Sequence, residues 1–384
     1  MVRTLSCALV TREHPPPQMK IEAIQTRVFR KAFAKAQWNP RTRWTEKVVV
    51  LVVLRTEGGH MGLGEAYCDG GAPDSVLALI ERDFAPLLAG QSLFDLGALS
   101  TRLRETMVVS AKGGAAWAAI SALDIAMWDA LGQVLGLPVC TLLGAQRRSV
   151  PAYASAGLYG QGKTVDDLAA EMAGYVALGF GGVKLKIGGA PFEEDVARVA
   201  AVRQAIGPGV KLMVDALYAL SVPEAMRMAR RLERYDIHFL EAPVAPDNIA
   251  GLARVAAASP VPLAGNEFAY GLDTFTRLIE DHAVAVVHLD AILCGGISEG
   301  LRIAAVAASR HLPVSFHAAS SVVCFAANLQ LAAAAPNVES VEFHMLHRML
   351  FDELAPGGFQ LVDGCVQLPT GPGLGLSNVR LPAA

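Results

Sequence analysis

Eight short apolar runs recur along residues 150–343, and helix-like stretches such as TVDDLAAEMAGYVALG and SVPEAMRMARRLERY separate them. The runs are VPAYAS, GVKLKIG, VKLMVDA, IHFLEAP, VPLAGNE, AVVHLDA, LPVSFHA and ESVEF. Strands that alternate with helices in this way pair in parallel through right-handed crossovers. Eight of them predict a closed α/β barrel, because closure leaves no strand edge exposed. A doubly wound nucleotide-binding sheet fits less well, because the sequence lacks a GxGxxG or Walker motif.

Every run after the first ends on or next to a polar or charged residue. From Lys186 onward, these residues are separated by 29, 26, 26, 23, 27 and 25 positions, which is one strand-helix unit each time. The carboxyl ends of all the strands in a parallel barrel open onto one mouth, where active sites lie. The sequence therefore predicts one site built from Lys184, Lys186, Asp215, Glu241, Glu267, Asp290, His317 and Glu342.

Three of these residues, Asp215, Glu241 and Glu267, are carboxylates at the predicted ends of adjacent strands. Three bunched carboxylates need a cation in order to remain ionised together. Ligands that are all oxygen, with no thiolate, favour Mg²⁺ and also permit Mn²⁺. We therefore expect these three residues to bind a divalent metal ion.

The remaining residues supply bases. Lys184 and Lys186 project to the same face of their strand, because alternate strand residues do so. A divalent ion and a neighbouring ammonium group both lower the pKa of a lysine, which would make an amine base at neutral pH. Asp290 and His317 lie on neighbouring strands, where the carboxylate can orient the imidazole. We expect a lysine base on one side of the metal and a histidine on the other.

Each residue also has a structural interpretation when it is considered alone. A strand-end acid can cap a helix, a lysine can extend to solvent, and a single histidine more often packs than catalyses. The complete set favours function, because nothing in the fold requires a polar residue at every strand end. For His344 and His347 in HMLH we expect a structural role, because the HExxH context is absent.

Residues 20–145 predict a smaller α+β domain ahead of the barrel. KVVVLVVLRTEGGHMGLGEAYC indicates a hairpin with a turn at Gly58 and Gly59, and a helical pattern follows from about residue 75. AAISALDIAMWDALGQVLGLPVCTLLG is the last helix of this region, with its end marked by Leu137 and Pro138. Residues 1–19 are expected to be an N-terminal extension, and translation from Met19 remains an alternative to Met1.

Composition narrows the classes of partner. The net charge of −3 provides no basic field for nucleic acid. The longest aliphatic run, residues 48–54, is far shorter than the ~20 residues of a membrane helix. The six cysteines show no CxxC spacing, which is typical of reduced thiols. We expect a cytoplasmic protein that binds neither nucleic acid nor membrane.

Taken in order, these residues resemble the mandelate racemase branch of the mandelate racemase/muconate lactonizing enzyme family, in the enolase superfamily. The resemblance covers about residues 20–380. AAISALDIAMWDALGQVLGLPVCTLLG is similar to the helix signature of the family's capping domain, and KLK to the Lys-x-Lys of its second barrel strand. Asp215, Glu241 and Glu267 match the three metal ligands, Asp290 and His317 match the dyad, and Glu342 matches the acid that faces the substrate carboxylate.

The resemblance implies a modified (β/α)7β barrel over residues 146–355, an α+β capping domain, and a segment over residues 356–384 that returns to the cap. It implies Mg²⁺-dependent removal of the α-proton of a small carboxylate substrate, and a Lys or His base with Mg²⁺ is the established superfamily pattern. Lys186 and His317 would address opposite faces of the α-carbon, and Lys184 would hold the carboxylate. Glu342, protonated or sharing a proton, would add a hydrogen bond. We also expect a homo-oligomer.

Three positions depart from the family pattern. Leu217 and Ala242 stand where relatives often carry polar or acidic side chains, which changes the surroundings of the ligands but not the ligands. Asp290 replaces the sixth-strand lysine of cycloisomerases and dipeptide epimerases, which disfavours those reactions. We rank dehydration of an aldonate or aldarate first, a racemase or epimerase of a 2-hydroxy acid second, and a catalytically silent carboxylate-binding protein third. Residues 29–44 are expected to form a flexible loop over the mouth that sets specificity.

Overall fold

The computed structural model describes residues 19–68, 73–106 and 113–382. Its N-terminal part contains an antiparallel sheet. Strands β1 (Ile21–Trp38) and β2 (Arg43–Thr56) form a long hairpin, and β3 (Met61–Ala66) pairs with β2. Gly59 lies in the β2–β3 turn with φ of 79°, a conformation that glycine adopts without strain. The predicted hairpin around this turn is confirmed.

Residues 29–44 do not form the flexible loop that we expected. Most of this stretch lies in β1, which pairs with β2 up to the contacts of Gln37 with Trp44 and of Trp38 with Arg43. Only residues 39–42 connect the two strands. The basic and aromatic side chains are therefore carried by a paired hairpin that projects toward the barrel.

Helices accompany the sheet of this N-terminal domain, and the longest of them packs directly on it. They are α1 (Asp74–Ala78), α2 (Ala85–Leu88), α3 (Leu96–Thr106), α4 (Ala115–Leu135) and α5 (Val139–Leu142). By length and apolar composition, α4 could span a membrane, and it is the one such helix among the described residues. However, its most apolar window is 72% buried inside the protein, so α4 is a core helix of the domain.

Two glycines of β3 explain how α4 packs so closely on the sheet. A Cβ atom on Gly64 would lie 1.9 Å from the carbonyl oxygen of Ala122, and one on Gly62 would lie 2.2 Å from that of Ala126. Neither position has room for a side chain. The strand and the helix backbone are thus in direct contact.

Eight parallel strands close into a barrel, because the last strand pairs with the first. A short strand β5 (Tyr159–Gly160) pairs instead with the end of β1. The barrel strands are β4 (Ser149–Ser155), β6 (Gly182–Lys186), β7 (Lys211–Asp215), β8 (Ile237–Glu241), β9 (Leu263–Gly265), β10 (Val286–Leu289), β11 (Val314–Phe316) and β12 (Val338–His344).

Seven helical connections join these strands. They are α6 (Val165–Ala177), α7 (Phe192–Ile206), α8 (Val222–Leu232), α9 (Ile249–Ala258), α10 (Gly271–Glu280), the pair α11 (Ala291–Cys294) and α12 (Gly296–Ser309), and α13 (Val322–Ala334). The predicted (β/α)7β barrel with an α+β cap is confirmed. Capping boxes at Thr164 and Ser221 fix the starts of α6 and α8.

The end of the chain runs along the barrel and then reaches the cap. Helix α14 (Arg348–Leu354) follows β12, and the hairpin β13 (Leu361–Val362) and β14 (Cys365–Gln367) pairs with the start of β4. Farther on, the backbone N–H of Leu374 donates to Asp129 on α4 at 2.8 Å. Asp129 also accepts from the N–H of Leu63, at 2.7 Å, and so joins three segments of the chain.

The barrel interior is apolar in its lower layer, toward the amino ends of the strands, and polar toward their carboxyl ends. Five buried side chains fill the lower layer: Tyr153, Met213, Phe239, Ala264 and Val286. Because side chains alternate along a strand, the inward positions two residues farther on point toward the carboxyl ends, called the mouth below. These positions include Asp215, Glu241 and His288. The lower layer therefore supports a polar site.

Candidate active site

All eight residues predicted from the sequence lie at the mouth, and none is more than 4% exposed. Lys184 is surrounded by three of the acids. Its Nζ is 2.6 Å from Glu241 Oε2, 3.2 Å from Glu342 Oε1 and 4.0 Å from Asp215 Oδ2. Lys186 forms its own ion pair with Asp215. The two lysines of KLK therefore have different surroundings although they share one face of β6.

The pKa values of these lysines are raised, whereas we expected the base to have a lowered one. Burial lowers the pKa of Lys186, but the carboxylates of Asp215, Glu241 and Glu342 together raise it by more. Burial likewise lowers the pKa of Lys184, and Glu241 and Glu342 together hold it well above the ordinary value. The expected lowering assumed a divalent ion, which would offset the charge of these carboxylates.

Of the two expected states of Glu342, protonated or sharing a proton, the structure disfavours the first. Burial acts to raise the pKa of this carboxyl, but the charges of Lys184 and His317 hold it well below its usual range. The structure thus favours an ionised Glu342, rather than a protonated one that donates to substrate. Its Oε1 faces Lys184, while its Oε2 accepts from the N–H of Ala318 at 3.2 Å and lies 3.5 Å from His317 Nε2.

The other acids fit a hard divalent cation. Among the described residues, Oε1 of Glu241 and both carboxylate oxygens of Glu267 are buried without a hydrogen-bond partner. Burial raises the pKa of Glu267 to about 8, and the negative charges of Glu241 and Asp215 add to the effect. Bare, mutually repelling carboxylate oxygens are the donors that Mg²⁺ and Mn²⁺ prefer.

The grouping of possible ligands differs in one respect from the predicted one. One ligand atom from each of Glu241, Glu267 and His288 lies within 4.8 Å of the others. Asp215 instead pairs with Lys186 through Oδ2 and accepts from the N–H of Leu217 through Oδ1, at 2.8 Å. Its role as a metal ligand stays a prediction. Sequence reasoning missed His288, although it shares an inward strand face with Asp290 two residues later.

The predicted pair of Asp290 and His317 is in contact. His317 Nδ1 lies 2.8 Å from Asp290 Oδ2, and Asp290 Oδ1 accepts from Asn328 Nδ2 at 2.7 Å and from the N–H of Ile292 at 3.1 Å. Because an ionised carboxylate only accepts, Nδ1 carries the proton and Nε2 is left for chemistry. Burial lowers the pKa of His317, but Glu342 and Asp290 raise it by more.

A cavity of about 270 Å³ lies over these groups, between the barrel and the cap. Lys186 and His317 both line it. The cap hairpin contributes Arg41, whose guanidinium donates to the backbone carbonyls of Leu217 and Tyr218 on the barrel. The other lining residues are Asn39, Thr42, Trp44, Tyr67, Pro246, Phe268, Ala319, His344 and His347. The hairpin is thus fastened to the barrel and forms one wall of the cavity.

His344 and His347 line this cavity, and the structural role expected for them stays a prediction. Their rings stack with centroids 4.1 Å apart and an interplanar angle of 14°. Burial lowers the pKa of His344 to about 3 and that of His347 well below its ordinary value. Both rings are therefore neutral, each with one donor and one acceptor nitrogen. The available signal was the position of His344 two residues after Glu342, on the same strand face.

A capped parallel barrel with a lysine and an aspartate-supported histidine across one cavity, beside bunched carboxylates, defines an enzyme that moves protons on a small molecule. Residues 21–144 match the N-terminal domain of the mandelate racemase/muconate lactonizing enzyme family, and residues 167–379 match the enolase C-terminal domain-like family. The chain belongs to the mandelate racemase/muconate lactonizing enzyme family of the enolase superfamily, and it is an enzyme.

Relatives with assigned activities cover most of the chain. Arabinonate dehydratase of Saccharolobus solfataricus is 34% identical over 85% of this chain and 87% of its own length. D-galactarolactone cycloisomerase of Agrobacterium fabrum is 32% identical, over 94% and 97%. A solved racemase from Streptomyces coelicolor A3(2) with bound magnesium has a TM-score of 0.85 at 28% identity, covering 93% of this chain and 97% of that one. The relatives thus include dehydratases, cycloisomerases and racemases.

Proposed function

We propose that this enzyme catalyses the Mg²⁺-dependent dehydration of an acid sugar, an aldonate or an aldarate. The single observation that carries the proposal is that Lys186 and the Asp290-supported His317 line one cavity beside the buried acids. Dehydration needs a base for the α-proton and an acid for the departing β-hydroxyl, and this arrangement provides both. The arabinonate dehydratase relative supports the same reaction class.

Asp215, Glu241 and Glu267 would hold the metal ion, which when bound supplies positive charge for the carboxylate of the substrate and its enediolate. Lys184 is completely buried beside Glu241 and can donate to the same substrate carboxylate. Ionised Glu342 lies between Lys184 and His317, and its negative charge acts to raise the pKa of both. These residues would orient the substrate so that its α-carbon faces Lys186 and His317 in the cavity.

Lys186, as the free amine, would remove the proton from C2, and the C–H electron pair would pass into the enediolate. The enediolate would then expel the C3 hydroxyl, which leaves as water after accepting a proton from His317 Nε2. The product enol tautomerises to a 2-keto-3-deoxy acid, so no oxidant or reductant is required. Asp290 supports the imidazolium that donates the proton, because its Oδ2 accepts from Nδ1.

The cavity wall favours a substrate with several hydroxyl groups. Asn39, Arg41 and Thr42 of the hairpin line it together with the neutral rings of His344 and His347. Neutral imidazoles both donate and accept, which suits hydroxyl groups, and a guanidinium suits a second carboxylate. An apolar hydroxy acid would leave the buried rings of His344 and His347 without a substrate partner, at a cost of about 1–3 kcal/mol for each.

Racemisation or epimerisation of a 2-hydroxy acid is the second candidate. It is favoured by the same two groups, because Lys186 could remove the α-proton and His317 could return a proton to the other face.

The cycloisomerase relative lies at a similar level of identity to the dehydratase. Our expectation that Asp290 disfavours cycloisomerisation therefore stays a prediction.

A panel of mono- and diacid sugars tests the proposal. Each is incubated with enzyme and Mg²⁺, and the 2-keto-3-deoxy product is detected with semicarbazide and by NMR. We expect at least one acid sugar to give this product, and the activity to be lost with chelator and restored by Mg²⁺. Inversion at C2 without a keto acid would support the racemase instead. Tight binding of acid sugars without any turnover would indicate the silent binding protein.

A further inference from the structure

His288 lies in the barrel interior beneath the predicted metal site, on β10, and it is completely buried. Its Nδ1 is 3.4 Å from Glu241 Oε1, and its Nε2 is 3.4 Å from the hydroxyl of Tyr153. Among the described residues, neither Nδ1 nor that Oε1 has a hydrogen-bond partner. The ring thus stands between the apolar floor of the barrel and one of the predicted ligands.

We propose that His288 is a positioning residue that fixes the orientation of Glu241 for the metal ion, with Tyr153 fixing His288 in turn. This inference rests on the metal role in the proposed function. At 3.4 Å the Nδ1–Oε1 separation is slightly longer than an ordinary N–H···O hydrogen bond.

The chemistry of Glu241, His288 and Tyr153 determines which group donates and which accepts at each of these two contacts. An ionised carboxylate only accepts, so Nδ1 must carry the hydrogen that faces Glu241. In a neutral imidazole Nε2 then accepts, and the hydroxyl of Tyr153 donates to it. Glu241 Oε2 already accepts from Lys184 at 2.6 Å. Lys184 and His288 would therefore hold the two oxygens of one carboxylate from opposite sides.

The alternative places His288 among the ligands, because one of its ring nitrogens lies with Glu241 and Glu267 in one compact group, and Nδ1 is the nitrogen that faces Glu241. A ligand needs a lone pair on Nδ1, so the hydrogen would move to Nε2 and Tyr153 would accept. The two arrangements differ in metal selectivity. A nitrogen ligand favours Mn²⁺ over Mg²⁺, whereas a positioning role leaves all-oxygen ligation and changes affinity for both ions equally.

Calorimetric titration of the full-length protein with Mg²⁺ and Mn²⁺ tests this without any substrate. For His288→Leu we expect both affinities to fall about 10–100-fold, by an equal factor, because groups of this kind contribute that much. His288→Asn keeps a donor near Nδ1 and should recover part of the loss. Tyr153→Phe should weaken both ions by a smaller factor. Circular dichroism and melting temperature show whether each variant is folded, and the Asn variant keeps the test valid if Leu fails to fold.

Two results would overturn the inference. One is that Mg²⁺ binds with wild-type affinity to Tyr153→Phe and also to folded His288→Leu or His288→Asn. The other is a nitrogen coupling from ¹⁵N-labelled histidine in the pulsed EPR spectrum of the Mn²⁺-loaded wild type that disappears in His288→Asn, which would make His288 a ligand. Wild-type protein that binds neither ion overturns the inference and the metal role together. Normal metal binding without turnover of acid sugars overturns only the proposed reaction.

Discussion

Replacing Asp290 by Asn should change the tautomer of His317 while leaving the shape of the site intact. Asp290 Oδ1 accepts from Asn328 Nδ2 at 2.7 Å and from the N–H of Ile292 at 3.1 Å. In the variant the amide oxygen must occupy this position, because only an acceptor satisfies both donors. The amide nitrogen then faces His317 Nδ1, where a carboxylate oxygen stood 2.8 Å away.

A facing N–H group forces Nδ1 to accept, so the hydrogen of the neutral ring moves to Nε2. Nε2 can then no longer take up a proton, and the imidazolium loses its negative partner. The same Asp→Asn substitution in a Ser-His-Asp triad lowers kcat about 10⁴-fold. General acid–base catalysis raises reaction rates by a factor of about 10²–10⁴. We expect turnover to fall by about 10²–10⁴, which is roughly 3–5 kcal/mol of transition-state stabilisation.

The assay is the rate of 2-keto-3-deoxy acid formation, or of α-proton exchange where no keto acid forms. Cys324→Ala is the matched control, because Cys324 Sγ lies 3.7 and 3.9 Å from the two oxygens of Asp290 without setting the tautomer. It should retain near wild-type turnover. Turnover in folded Asp290→Asn close to that of wild type would refute the assignment of His317 as an acid–base group.

Three further outcomes follow from the same structure. Lys186→Met should abolish α-hydrogen exchange on one face of the substrate only, and NMR in heavy water with each enantiomer would expose an error if both faces still exchange. Burial raises the pKa of Asp129 from 3.8 to about 6, so its contribution to stability is complete below pH 3.8 and is lost as pH rises through 6. Relative to Asp129→Asn, wild type should therefore lose about 2 kcal/mol between pH 4.5 and 7 in denaturant titrations, and a pH-independent difference would contradict this. Gly64→Ala should lower the free energy of unfolding by about 1–3 kcal/mol or more, because the new Cβ would lie 1.9 Å from the Ala122 carbonyl oxygen. Gly97→Ala on α3 is the control, because nothing lies within 4 Å of its new Cβ. In the same titrations it should be neutral or stabilising by up to about 1 kcal/mol.

The barrel and most of its site could be predicted because the relevant signals are local. Each strand is a short apolar run, and the residue that faces the mouth lies at a fixed place at its end. Lys184, Glu241 and His317 were found in this way, and barrel closure then brings them together. The expected contact of Asp290 with His317 followed from the neighbouring positions of β10 and β11.

The features that were not predicted depend on strand pairing and burial, which the sequence alone does not show. Residues 29–44 mix basic and aromatic side chains without clear alternation, and their strand character comes from pairing with β2. Nothing in the local sequence marks the roles of His288 or His344, because the contact of His288 with Glu241 and the place of His344 in the cavity wall are defined only by the folded barrel. The ionised state of Glu342 likewise follows from its distance to Lys184, 3.2 Å, which only the folded chain defines.

The most direct test of the account is solvent exchange at the α-carbon of acid sugars, followed by NMR in heavy water with and without Mg²⁺. Wild-type enzyme with Mg²⁺ should place deuterium into its substrate or into the 2-keto-3-deoxy product, and chelator should stop this. Glu241→Gln should remain folded and be inactive, because one metal ligand is lost. Mg²⁺-independent exchange, or no exchange with any acid sugar or 2-hydroxy acid, would contradict the proposed metal-assisted removal of the α-proton.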